Sequence, residues 1–92
     1  MLRTAEEARE ISSKREVFNK LKFMMIDGIN VGIDNSAKQG WYYTHYDYRK
    51  FERDFSFERI LCTLVVSEIA KELNKLGYEA DVTHSNLKIR WG

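Results

Sequence analysis

The sequence has no proline, one cysteine and two histidines among its 92 residues. Because Cys62 is the single thiol, no disulfide can form within the chain, and secreted domains of this size usually carry several. The polar first residues lack the apolar core of a signal peptide, and no apolar run reaches the roughly 18 residues that a membrane-spanning helix needs. These absences predict a cytoplasmic protein.

Common catalytic motifs are also missing: there is no G-x-S-x-G, no glycine-rich phosphate loop and no H-E-x-x-H. Cys62 follows Leu61 in an apolar stretch, which is more typical of a buried structural cysteine than of a nucleophile. His45, Asp47 and His84 could meet on adjacent strands as metal ligands, but two histidines are no more than background. We therefore predict no enzymatic activity, no metal site and no cofactor.

Neither sign of charge is in excess, since the formal net charge is only +1. That balance argues against a dedicated polyanion-binding protein, so a nucleic-acid partner ranks low among the alternatives. Hydrophobic residues at 43% and charged residues at 32% are ordinary values for a folded domain. Residues 1–92 are accordingly predicted to form a single domain.

The first helix is predicted from Ala5, because Thr4 and Glu7 fit a capping box, with a pause at Ser12-Ser13. Gly40 is its expected end. An apolar stripe at helical spacing supports it, formed by Phe18, Leu21, Met25, Ile29, Ile33 and Ala37. A hairpin at residues 27–28 is the alternative. Gly28 and Gly32 form a small-xxx-small step, which predicts either a close approach of another backbone, such as a second subunit, or a weak point in the helix.

Beyond Gly40, a strand is predicted at residues 41–48, followed by a charged linker at 49–54. Asp54 or Ser56 is expected to cap a second helix that ends at Gly77. Two further strands, 78–84 and 87–91, alternate apolar and polar residues around a turn at 85–86. The order α-β-α-β-β predicts an α+β fold, with a three-stranded, mainly antiparallel sheet and long helices on one face.

Residues 41–59 stand out because aromatic and basic side chains are interleaved there. Only one face of the strand can pack on the helices, so some rings should line an exposed surface, a pocket or a subunit interface. Rings can stack on bases while arginines meet phosphates; the alternative is that the rings fill the core. The candidate ligand-binding residues are Trp41, Tyr43, His45, Tyr48, Arg49, Arg53 and Arg59.

Both ends of the chain carry a resemblance. The opening T-A-E-E-A-R-E-I-S at residues 4–12, the helix end L-G-Y at 76–78 and the closing I-R-W at 89–91 resemble the small, mostly uncharacterised accessory proteins of tailed bacteriophages. The resemblance covers about half the chain, and residues 41–57 are longer and more aromatic than in that group. It implies an accessory protein that acts in a bacterial host cytoplasm, where such proteins often disable host factors.

Two functions follow as hypotheses. The first is a homo-oligomeric sponge that captures a small nucleotide-like defence signal without turning it over. The second is a protein–protein inhibitor that docks on a host factor through the aromatic and arginine-rich segment 41–59.

Overall fold

The computed structural model describes residues 2–92 and contains three helices and three strands within that range. In chain order they are α1 (Ala5–Lys38), β1 (Tyr43–Tyr46), α2 (Lys50–Phe55), α3 (Arg59–Lys75), β2 (Glu79–Val82) and β3 (Leu87–Arg90). The strands form one antiparallel sheet in the order β1-β3-β2. The predicted α+β fold, with its three-stranded antiparallel sheet and helices, is confirmed.

Helix α1 is continuous over 34 residues, so both the predicted pause at Ser12-Ser13 and the alternative hairpin at residues 27–28 are wrong. The residues around the two serines favour a helix. Glu10 and Lys14, one turn apart, also form an ion pair at 3.4 Å that stabilises it. Thr4 caps the start as predicted: its Oγ1 accepts the Glu7 backbone N–H at 3.1 Å. Residues 5–17 of α1 are exposed.

Both long helices end in the same way. Gly40 and Gly77 have positive φ angles, 83° and 100°, which glycine adopts without strain. The backbone N–H of Trp41 donates to Ser36 at 3.0 Å, and that of Tyr78 donates to Leu73 at 3.1 Å. These bonds reach five residues back and turn the chain sharply from helix towards strand.

The predicted charged linker at 49–54 is mostly the short helix α2, which is a correction. Phe51 and Phe55 lie one turn apart with ring centroids 5.6 Å apart, and Phe51 is buried. Apolar packing therefore stabilises a helix where charge alone predicted a linker. Neither Asp54 nor Ser56 caps the next helix: Ser56 ends α2 in a left-handed conformation, and Glu58 precedes α3 without a side-chain cap.

The core lies between the two long helices and the inner face of the sheet. Its fully buried side chains come from all three: Leu21 and Met25 of α1, Val65, Val66 and Cys62 of α3, and Leu87 and Ile89 of β3. Burying a side chain of this size contributes about 1.5–3 kcal/mol. The pattern confirms Cys62 as a buried residue of the core.

Gly28 sits where α1 crosses β1. A Cβ at this position would lie 2.8 Å from Cε1 and 2.9 Å from the hydroxyl of Tyr46, whereas a Cβ at Gly32 would lie 3.5 Å from Thr44 Oγ1. The predicted close approach was that of another backbone, but at Gly28 it is made by the Tyr46 side chain in the sheet of the same chain. This face of Gly28 is therefore covered within the chain and is not open to a helix of a second subunit.

This contact is tested by comparing Gly28→Ala with Gly32→Ala. Alanine favours helix by up to about 1 kcal/mol over glycine, and Gly32→Ala should gain some of this free energy. Gly28→Ala should instead lower the free energy of unfolding by about 1–3 kcal/mol, because the new methyl group overpacks the Tyr46 ring. Urea denaturation measures both values, and equal stabilisation of the two variants would contradict the packing.

Lys22 joins α1 to α3. Its Nζ lies 2.9 Å from Glu68 Oε1 and 2.8 Å from Glu72 Oε1, and the lysine side chain is mostly buried. The hydrogen bonds that Lys22 donates to Glu72 and Glu68 raise the pKa of Lys22 above 10.5, and the bond to Glu68 lowers the pKa of that carboxyl below 4.5. The contribution of this cluster to stability is therefore present between those two pH values.

The pH dependence provides a second test. As pH falls below 4.5, Glu68 must take up a proton that the unfolded chain binds more readily, so the free energy of unfolding should fall. Lys22→Gln removes the largest cause that lowers the pKa of Glu68, so the fall in the free energy of unfolding between pH 7 and pH 3 should be smaller than in the wild type. Lys20→Gln, an exposed lysine of the same helix, is the control and should keep the wild-type slope.

Candidate ligand-binding site

The outer face of the sheet is open to solvent and carries the first group of candidate residues. Thr44 and Tyr46 of β1 point towards the helices, so Tyr43 and His45 point outward, as the alternation of side chains along a strand requires. The strand itself is shorter than predicted, Tyr43–Tyr46 instead of 41–48. Trp41 lies just before it and is 49% exposed, and Tyr43 is 48% exposed.

Three rings follow one another along this edge. The Trp41 and Tyr43 rings stack with centroids 6.0 Å apart and an angle of 10° between planes, and Tyr43 meets His45 edge-on at 6.0 Å. Stacked rings of this kind lose little conformational entropy when they bind a flat partner, because they already support one another.

The strand register brings charged side chains beside the rings. Tyr43 lies opposite Arg90, which lies opposite Glu79; His45 lies opposite Lys88, which lies opposite Asp81. A groove of about 340 Å³ runs between them, lined by Tyr43, His45, Lys88, Arg90 and Asp81 together with the edges of Thr44 and Ile89. Arg90 donates to Glu79 Oε2 at 2.7 Å, whereas Lys88 forms no ion pair with any residue from 2 to 92.

Arg49 and Arg59 lie elsewhere, at the end of the sheet that carries the β2–β3 turn. Both approach His84 in that turn: Arg49 Nη1 lies 3.5 Å from its Nε2, and Arg59 Nη2 lies 3.4 Å from its Nδ1. All three side chains reach solvent. The predicted residues are thus divided between two locations instead of lining one pocket.

Tyr48 was predicted to bind a ligand, but its ring is only 4% exposed and belongs to the core. Its hydroxyl donates to the Thr83 carbonyl at 2.7 Å and, more weakly, to the His84 carbonyl at 3.5 Å. Tyr48 therefore positions the turn that carries His84 and offers no surface for stacking.

Arg53 is also engaged. Its Nη2 donates to Asp47 Oδ2 at 2.6 Å, and Asp47 Oδ1 accepts the backbone N–H of Arg49 at 3.0 Å. The hydrogen bond from Arg53 is the main reason that the pKa of Asp47 is lowered below 3.8. Asp47 neutralises this arginine, so Arg53 is the least suited of the three arginines to meet an anion.

Two buried titratable groups lie beneath these surfaces. Desolvation, followed by the charges of Asp47 and Asp27, raises the pKa of Tyr46 to about 12, and its buried hydroxyl has no hydrogen-bond partner within residues 2–92. Burial likewise raises the pKa of the Cys62 thiol above 9.0, which disfavours its thiolate form.

Residue-by-residue reasoning did not single out Lys88 and Arg90 as site residues, and it considered His84 only as a possible metal ligand. Lys88 and Arg90 were predicted only to lie on the solvent-exposed face of an alternating strand. What was missing was the pairing: β3 is last in the chain yet central in the sheet, and only this order sets Arg90 beside Tyr43.

In the described part of the chain, no three histidine, cysteine or acidic side chains come close enough together to hold a metal ion. None of the helices there has the length and apolar character required to span a membrane. The chain matched no protein-family model, no curated protein and no solved structure in the three comparisons.

The role of Tyr48 is open to a direct test. Tyr48→Phe removes the hydrogen bond to the Thr83 carbonyl while keeping the buried ring, so the free energy of unfolding should fall by about 1 kcal/mol. Tyr42→Phe, at a largely exposed tyrosine, should leave it unchanged. Thermal or urea denaturation reports both. A Tyr48→Phe variant as stable as the wild type would show that the hydroxyl does not hold the turn.

Proposed function

We propose that this protein captures a small, nucleotide-like ligand on the outer face of its sheet and does not turn it over. The observation that carries the proposal is the exposed stack of Trp41 and Tyr43, with Arg90 directly opposite Tyr43 in the register. A flat base would lie against the rings, and its phosphate would meet Arg90 and Lys88.

The charges on this face favour a short ligand over a long polyanion. Lys88 and Arg90 are matched by Asp81 and Glu79 on the neighbouring strand, so the face is close to neutral as a whole. A long nucleic acid would bring phosphates to the acidic edge as well as to the basic one. A ligand with one or two phosphates can contact the two cations alone.

The groups on the face suit binding without chemistry. The rings can stack on a base, and the ammonium and guanidinium groups can neutralise and hydrogen-bond a phosphate, which is sufficient to hold a ligand. The resemblance to tailed-phage accessory proteins supports a biological setting in which holding a host defence signal is sufficient. In that setting the protein acts as a sponge.

A homo-oligomer is part of the same proposal. Exposed apolar side chains along the first turns of α1 and the outer side of α3, namely Ile11, Val17, Ile60 and Leu64, support association with further copies. Native mass spectrometry of the purified protein measures the number of chains and any retained adduct together.

The second hypothesis, inhibition of a host protein, is supported by the exposure of Trp41 and Tyr43, whose stacked rings form one patch. Tyrosine and tryptophan dominate the energetics of many protein interfaces. A docking patch would bind a host protein and show no affinity for mononucleotides, which separates it from the proposed capture site.

Nucleotide binding is tested by isothermal titration calorimetry with AMP, ADP and a cyclic dinucleotide. Tyr43→Ala should weaken the binding of whichever probe binds by about tenfold or more, since base–aromatic stacking contributes about 1–3 kcal/mol. Phe23→Ala is the matched control, because Phe23 is 75% exposed on the solvent side of α1 and far from β1 in the chain.

Two substitutions of charged residues on this face should change the affinity in opposite directions. Arg90→Gln should weaken binding, whereas Glu79→Gln should strengthen it, because Arg90 is then released from its ion pair. Surface ion pairs are weak, so neither change should unfold the protein. If both variants shift the affinity in the same direction, or if none of the probes binds, the sheet face is not a nucleotide site.

A further inference from the structure

The basic cluster of Arg49, Arg59 and His84 lies apart from the aromatic stack and is assembled from three segments. Arg49 immediately precedes α2, Arg59 is the first residue of α3, and His84 lies in the turn between β2 and β3. Tertiary structure alone brings them together, with the guanidinium groups 3.5 and 3.4 Å from the two nitrogens of one imidazole.

The two contacts with the imidazole cannot both be good hydrogen bonds, although Arg49 Nη1 also donates to the His84 carbonyl at 3.5 Å. A guanidinium group only donates hydrogen bonds, and a neutral imidazole has one N–H donor and one acceptor nitrogen. Of the two arginine contacts with His84, one therefore brings a donor against a donor. An anion among the three side chains would accept hydrogen bonds from all of them.

The charge balance leads to the same conclusion. Glu52 lies 3.5 Å from Arg49 Nε and offsets part of one positive charge. Arg59 has no carboxylate within 4.0 Å among residues 2–92, and its guanidinium group approaches His84 instead. Of the two guanidinium groups, only that of Arg49 is thus paired with a carboxylate, and both reach a solvent-exposed edge where a further anion can enter.

The backbone beneath the cluster is held in place before any anion arrives. Thr83 Oγ1 accepts the Asn86 backbone N–H at 3.0 Å, and the Tyr48 hydroxyl binds the Thr83 carbonyl. On the other side, Asp47 accepts the Arg49 backbone N–H. A preorganised set of donors loses less entropy on binding than a flexible one.

The geometry points to a binding site for one phosphate group, free or as a phosphate ester, between Arg49, Arg59 and His84. A phosphate has enough acceptor oxygens for both guanidinium groups and the imidazole, and arginine binds it through two parallel N–H donors. This site goes beyond the proposed capture of a nucleotide and does not depend on it, because it shares no side chain with the ring stack.

The site is tested on the full chain by calorimetry with inorganic phosphate and with glycerol phosphate, at constant ionic strength. Neither probe has a ring that could stack on Tyr43. Arg49→Gln and Arg59→Gln should each lower the association constant roughly tenfold or more, because each removes a charge-assisted hydrogen bond. The association constant of Arg59→Lys should lie between those of the wild type and Arg59→Gln, since lysine keeps the charge but lacks the paired N–H donors of arginine.

Arg9→Gln, in the exposed first turns of α1, removes the same charge elsewhere and should leave the association constant unchanged. Dependence on Arg59 with both probes identifies a site that accepts esters; dependence with inorganic phosphate alone identifies free phosphate as the ligand. Equal losses in Arg9→Gln and Arg59→Gln, or no measurable binding of either probe, would overturn the site. Circular dichroism checks that each variant is folded.

A Tyr43→Ala variant separates this site from the sheet face. It should bind inorganic phosphate as the wild type does, even though it loses the stacked ring. If no nucleotide binds the sheet face, phosphate binding between Arg49, Arg59 and His84 can still be observed. If no phosphate binds there, nucleotide binding on the sheet face can still be observed.

Discussion

The surface chemistry of this protein depends on how strand β3 packs. Leu87 and Ile89 are fully buried against the helices, and this fixes which way their neighbours point. Because side chains alternate along a strand, Lys88 and Arg90 must then face solvent. A slip of one residue would bury two cations and expose two core residues, so the register has a large energetic preference.

Because β3 is the central strand, its register also affects both neighbouring strands. As the central strand it pairs with β1 on one side and β2 on the other, so a single register decides both neighbours. It sets the rings of β1 beside the cations of β3, and the acids of β2 beyond them. The outer face is thus an aromatic edge, a basic centre and an acidic edge.

Ion pairs then divide the basic residues into engaged and available groups. Arg53 is held by Asp47 and Arg90 by Glu79, whereas Arg59 and Lys88 have no carboxylate within 4.0 Å in the described chain. Although the net charge of the chain is only +1, its positive charge is unevenly neutralised. Local imbalance of this kind can hold a small anion where the overall charge predicts little.

Sequence reasoning succeeded where the signal is local. The Thr4 cap, the helix ends at Gly40 and Gly77, and the alternation of β1 and β3 depend on residues close together in the chain. It failed at α2, where the packing of Phe51 against distant residues outweighs the charged composition, and at Ser12-Ser13, where good helix-forming neighbours outweigh two serines. It also assigned Tyr48 to the surface, although the ring is buried.

The sequence by itself determined the α+β class, the two long helices, the three strands and the alternation of apolar and polar residues along β3, because periodicity and capping are encoded within a few residues. Only the tertiary structure decided which candidate residues meet. In the folded protein Tyr48 is buried in the core, and Arg53 forms an ion pair with Asp47. Arg49 and Arg59 both approach His84, and Arg90 lies opposite Tyr43. Such meetings depend on long-range pairing and on burial of the shared core, and no local pattern specifies either.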